Sequence, residues 1–161
     1  MSERPYLSLL RALAAAGVGH AIAGGLAVVL HGVPRMTFDL DLVVDLNDEN
    51  MKRLVLVLEQ EGYRPRLPVA LADLSDATKR HEWVTERNLI AFSLNHPQRQ
   101  MEEVDILLAP GIEWSEIASS LVWRPINGDS VAVIGKPLLR RMKLATGREK
   151  DKADAELLGE L

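Results

Sequence analysis

The feature that most constrains this chain is a pair of acids at the mouth of an apolar run, Asp39-Leu40-Asp41-Leu42-Val43-Val44. Side chains alternate faces along a strand, so Asp39 and Asp41 point one way while Leu40 and Leu42 point the other. The two carboxylates start roughly 7 Å apart and can converge on one cation. Like charges this close repel unless something positive lies between them, and a hard divalent ion such as Mg²⁺ is the natural neutraliser. Upstream, Gly24-Gly25 follows the short apolar run His20–Ala23 and precedes Leu26–His31, which reads as a short helix. Glycines there let backbone approach a ligand closely, and the N–H groups of the following helix make a phosphate site. A phosphate cradle beside a metal-holding acid pair points to chemistry on a nucleoside triphosphate.

A third acid joins the pair. Glu102-Glu103-Val104-Asp105-Ile106-Leu107-Leu108 sets Asp105 within an apolar strand, where a lone carboxylate is costly unless paired or metal-bound. If that strand neighbours Asp39–Val44, the three acids Asp39, Asp41 and Asp105 form a two-metal phosphoryl-transfer site, with Asp105 able to help deprotonate an acceptor hydroxyl.

The remaining pattern predicts an α/β fold, a mixed sheet of about five strands flanked by helices. Helices are expected over 4–16, from the N-cap Asn47 to Gly62, irregularly over 69–87, and over 112–121, 137–146 and 148–161. Residues 64–68 read as a connector. Leu89–Leu94 and Val104–Leu108 form an antiparallel pair around the loop Asn95–Gln100, and Asn127-Gly128 turns a second hairpin. The chain of 161 residues predicts a single domain, 1–161, with 136–161 as a C-terminal helical extension. The net charge of −4 argues against a generally nucleic-acid-binding surface, although a local basic site stays open. Without cysteine there is no disulfide or thiolate metal site, which suits a cytoplasmic protein. No apolar stretch reaches the ~20 residues that span a bilayer.

The run from Gly24-Gly25 through Gly32, Arg35 and Thr37 to Asp39-Leu40-Asp41 resembles the signature of the nucleotidyltransferase superfamily related to DNA polymerase beta. Its wording is most similar to the AbiEii-like branch, found among toxins of toxin–antitoxin pairs. Asp105 matches the third acid. Lys143 with Arg148-Glu149-Lys150-Asp151 and Asp154 resembles the branch's basic C-terminal helix pattern. The resemblance implies Mg²⁺-dependent transfer of a nucleoside monophosphate from an NTP to a hydroxyl of RNA, protein or a small molecule, with release of pyrophosphate. It implies Asp39, Asp41 and Asp105 as catalytic metal ligands, and Gly24, Gly25, Arg35, Thr37 and Lys143 as nucleotide contacts. It also implies an antitoxin partner. In the small-molecule enzymes of the aminoglycoside or lincosamide type, a homodimer builds the acceptor pocket. The competing expectation is a catalytically degenerate fold serving as an interaction partner or antitoxin. Leu26 departs from the Ser or Thr that many relatives carry after the glycines. Arg35 has the alternative of pairing with an acid. Asp151 and Asp154 are expected to form only surface ion pairs, worth little.

Overall fold

The computed structural model describes residues 5–160. Helix α1 covers Leu7–Ala15, strand β1 His20–Ala23, helix α2 Gly24–Leu30 and strand β2 Leu40–Val44. Helix α3 (Asp48–Gln60), strand β3 (Arg64–Pro65), a 3-10 turn (Leu71–Ser75) and helix α4 (Ala77–Arg87) follow. Strands β4 (Ala91–His96) and β5 (Arg99–Leu107) form a hairpin, helix α5 spans Trp114–Ser120, and β6 (Val122–Ile126) and β7 (Asp129–Val133) form another. Helices α6 (Lys136–Ala145) and α7 (Glu149–Gly159) close the described chain. The expected helix start at residue 4 and end at Leu161 lie outside the described residues.

The strands make one mixed sheet of seven, in the order β3-β4-β5-β2-β1-β7-β6, flanked by helices. The pairs β2–β5 and β1–β7 run parallel; the others are antiparallel. The sheet exceeds the expected total of about five strands, and one of its strands lies outside the predicted runs. Arg64-Pro65, read as connector, adds a short edge to β4, and proline, lacking an N–H, is tolerated at such an edge. The β4–β5 turn is also tighter than expected, so β5 begins at Arg99 and carries Glu102 and Glu103 inside the strand. Glu102 is buried there because its carboxylate accepts from the Tyr6 N–H at 3.0 Å and the Tyr63 hydroxyl at 2.8 Å and meets Arg99 at 2.5 Å. The irregular segment 69–87 divides at Asp76, whose side chain caps α4 by accepting from the Thr78 and Lys79 N–H groups. At the second hairpin, Asn127 and Gly128 take φ of 50° and 90°, the left-handed pair that a tight two-residue turn demands.

Leu9, Leu13, Ile22, Leu42, Leu54 and Phe92 belong to one continuous core. Within it, polar wiring fixes how β1 meets β2. Asn50 is 3% exposed; its Oδ1 accepts from the Gly19 N–H at 2.7 Å, and its Nδ2 donates to the carbonyls of Gly19 at 3.0 Å and Asp45 at 2.7 Å. These bonds clamp the start of β1 to the end of β2, and so fix the level at which the acid pair leaves the sheet. Asn50→Ala leaves the Gly19 N–H and the Asp45 carbonyl without their partner, which should lower stability by about 2 kcal/mol or more. Urea unfolding of the two proteins checks this.

Candidate active site

The parallel register of β2 with β5 sets Leu40 beside Val104 and Asp41 beside Asp105. Period-two alternation then turns both carboxylates to one face. They lie within hydrogen-bonding reach of each other, and Asp105 also accepts from the Ser93 hydroxyl of β4 at 2.6 Å. Asp39 stands just before β2 rather than within it. Its backbone is steadied from across the sheet: the Tyr6 hydroxyl donates to the Phe38 carbonyl at 2.5 Å and accepts from the Glu103 N–H at 2.9 Å.

A fourth acid, Glu103, completes this face. Ligand oxygens of Asp39, Glu103 and Asp105 can lie within 4.8 Å of one another. Glu103 is also ion-paired with Arg66. Sequence reasoning passed over Glu103, although the signal was there: it lies two residues before Asp105, so a strand that turns Asp105 to the site turns Glu103 the same way.

The electrostatics follow from the crowding. Burial, then the Asp105 charge and hydrogen bond, then Asp39, push the Asp41 carboxyl up to about 7. Burial and the neighbouring Glu103 raise Asp39 as well. Asp39, Glu103 and Asp105 at this spacing, with Asp41 beside Asp105 and no nitrogen or sulfur donor among them, form an oxygen set suited to a hard divalent cation such as Mg²⁺. Such an ion would offset both the burial and the like charges that raise the Asp41 carboxyl.

Asp39, Asp41 and Asp105 line a cavity of about 300 Å³. Gly25, Arg35, Thr37, Lys143, Arg148 and Lys150 line much of the rest. The glycine pair does not precede the helix, as the sequence reading of Leu26–His31 has it, but forms the first turn of α2 itself. Gly24 has a φ of +61°, and a Cβ there would strike the Asp41 carboxylate, 2.7 Å from its Cγ. A Cβ on Gly25 would lie 2.7 Å from Thr37 Oγ1, so this glycine admits the loop carrying Arg35 and Thr37 as well as any ligand. The structure thus brings together Gly25, Arg35, Thr37, Asp39, Asp41, Asp105 and Lys143 around one cavity, with Gly24 packed against Asp41.

One expectation for the C-terminal helices is corrected. Asp151 and Asp154 are not surface ion pairs: they are 1% and 5% exposed. The Lys143 ammonium sits 3.2 Å from Asp151 and 3.0 Å from Asp154. Asp154 also pairs with Arg35, and Asp151 accepts from Arg148 and the Thr146 hydroxyl, at 2.7 Å and 2.6 Å. Carboxylates from α7 therefore tie α6 to the loop that precedes β2. Helix α7 has little apolar periodicity, so its own sequence carried no sign of this burial; the cause is the pairing with distant Lys143 and Arg35.

No family model and no curated protein sequence matches the chain. Solved structures do. The lincosamide antibiotic adenylyltransferase LnuA, in its lincomycin-bound crystal structure, is 16% identical and aligns over 99% of this chain and 97% of its own, with a TM-score of 0.60. The antibiotic-resistance factor ANT(2'')-Ia is 17% identical over 94% of this chain and 78% of its own, with a TM-score of 0.61. An antigenic nucleotidyltransferase-like protein from Paracoccidioides brasiliensis is 19% identical over 92% of this chain and 69% of its own, with a TM-score of 0.55. The fold is that of a nucleotidyltransferase. At these identities the likeness is one of fold, and what this chain does rests on its own residues.

Two outcomes follow from the site. Between about pH 4 and 7, the folded chain keeps the Asp41 proton that the unfolded chain has lost. The unfolded state then binds fewer protons, so metal-free stability should fall as pH rises through this window. Added Mg²⁺ should offset the loss most at its upper end, which thermal unfolding with and without Mg²⁺ measures. Lys143→Met leaves two buried carboxylates without their shared cation and should cost about 3–5 kcal/mol. Denaturant unfolding of the variant tests this value.

Proposed function

We propose that the chain is a nucleotidyltransferase that moves a nucleoside monophosphate from an NTP to a hydroxyl acceptor and releases pyrophosphate. The observation that carries this reading is the pairing of Asp41 with Asp105 across parallel strands, in a cavity also lined by Arg35, Lys143, Arg148 and Lys150. A fold kept only for protein contacts has no reason to hold mutually repelling, half-buried carboxylates in a cavity lined with cations. That favours the enzyme over the degenerate alternative.

In this reading Asp39, Asp41 and Asp105, joined by Glu103, would hold Mg²⁺, with donors enough for two ions. When bound, the metal would supply positive charge that offsets the negative charge of the reacting phosphate. The first turn of α2 at Gly24-Gly25, the Thr37 hydroxyl and the cations Arg35 and Lys143 orient the polyphosphate. Asp105, kept in place by Ser93, accepts the proton of the acceptor hydroxyl as its oxygen bonds to the α-phosphorus. The bond from that phosphorus to the bridging oxygen breaks, and pyrophosphate leaves with its electron pair.

An apolar trough of about 480 Å³, lined by Ile90, Leu107, Ala109, Pro110, Met142 and Ala145, joins the cavity at Ile90, Leu107 and Arg148. Its one charged lining residue, Arg148, is already bound to Asp151. Such a surface suits the body of a small organic acceptor better than a phosphate backbone. The lincomycin-bound relative is consistent with this class of acceptor. The toxin role implied by the AbiEii-like resemblance requires a macromolecular acceptor instead. Incubation of labelled NTPs and Mg²⁺ with hydroxylated antibiotics, or with total tRNA, decides between them.

Asp39→Asn and Asp41→Asn should lose Mg²⁺-dependent NTP binding and transfer together. Asp105→Asn should keep most NTP binding yet lose transfer by about 10²–10⁴-fold, the usual worth of general-base help. Calorimetry and single-turnover transfer on the three variants are the measurements. Wild-type transfer by Asp105→Asn would remove the assigned base.

A further inference from the structure

Four cationic side chains line the carboxylate cavity: Arg35, Lys143, Arg148 and Lys150. Three are already neutralised within the protein. Arg35 pairs with Asp154, Lys143 bridges Asp151 and Asp154, and Arg148 pairs with Asp151. A phosphate that recruited any of these would have to share it with a buried carboxylate, and pulling Lys143 away would take a cation from two of them at once. Lys150 differs. Among the described residues it takes part in no ion pair or hydrogen bond, it is exposed, and it lines the cavity close enough for its charge to act on Asp39. It lies in the first turn of α7, one residue before Asp151, whose burial fixes that turn to α6.

We propose that Lys150 is the phosphate-engaging cation of this site, the group that meets the polyphosphate of the incoming nucleotide. Lys143 and Arg35 then act chiefly as internal counter-ions that hold α7, and with it Lys150, at the cavity. This inference rests on the nucleotidyltransferase reading above. It redistributes the roles of the basic residues: a buried, paired lysine shapes the site, and an exposed, unpaired one contacts the ligand. An ammonium that gives up no partner contributes its whole charge to binding, whereas one taken from a carboxylate contributes only the difference.

The test uses the full chain with Mg²⁺ and two probes, ATP and inorganic tripolyphosphate, measured by calorimetry. Lys150→Gln should weaken both by about tenfold, the worth of one hydrogen bond to a charged group. Lys150→Arg should restore most of the affinity. Lys152→Gln, which removes a lysine of the same helix that sits 3.5 Å from Glu149, should bind both probes as wild type does. Lys150→Gln removes no internal partner, so its melting temperature should equal that of wild type. If wild type binds both probes and Lys150→Gln binds them equally well, Lys150 is not the phosphate cation. The same holds if Lys152→Gln weakens binding as much, because the effect is then one of general charge. If wild type binds neither probe, the nucleotide reading itself falls, and the proposal with it.

Discussion

The parallel pairing of β2 with β5 is the constraint on which the rest depends. Its register decides that Asp41 meets Asp105 and not an apolar neighbour. One residue of slip would turn one of the two carboxylates into the core, where no partner waits. Much of the surrounding structure defends that register. Asn50 locks β1 to β2 from one side, and Tyr6 ties the residues before Asp39 to β5 from the other. Glu102, buried and held by Tyr6, Tyr63 and Arg99, anchors β5 one residue away from the acid face.

The acid face is kept at an electrostatic cost. Asp41 can ionise only against Asp105 and Asp39, and it retains its proton to higher pH than an ordinary carboxyl. Three of the four basic residues of the cavity show the reverse arrangement, matched to buried acids of α7, with Lys150 the exception among the described residues. The site thus sets Asp39, Asp41 and Asp105, which no ion pair among the described residues neutralises, beside a matched set of bases. An unmatched cluster of acids is a standing demand for a cation, and a matched cluster of bases is a scaffold.

The outline of the sheet and the acid pair were legible in the sequence, because alternation is a local signal and Asp105 interrupts an apolar run. The hairpin at Asn127-Gly128 was legible for the same kind of reason, since left-handed backbone limits the residues that fit. Arg64-Pro65 was not, because two residues carry no periodicity and their pairing depends on β4. Nor was the burial of Asp151 and Asp154: a charged helix gives no inward stripe, and the partners that bury these acids lie up to 119 positions away. Glu103 falls between the two cases. Its face was readable from Asp105, but its adjacent twin Glu102 points the other way, and only the strand register separates them.

The two edges of the sheet have a consequence of their own. β3 and β6 are the outermost strands, and each carries a proline, Pro65 in one and Pro125 in the other. A proline offers no N–H to a further strand, and β3 is two residues long. Neither edge is a good template for lengthening the sheet. Two copies of this chain that came together would have to meet through helices or loops, leaving each β-sheet closed within its own molecule.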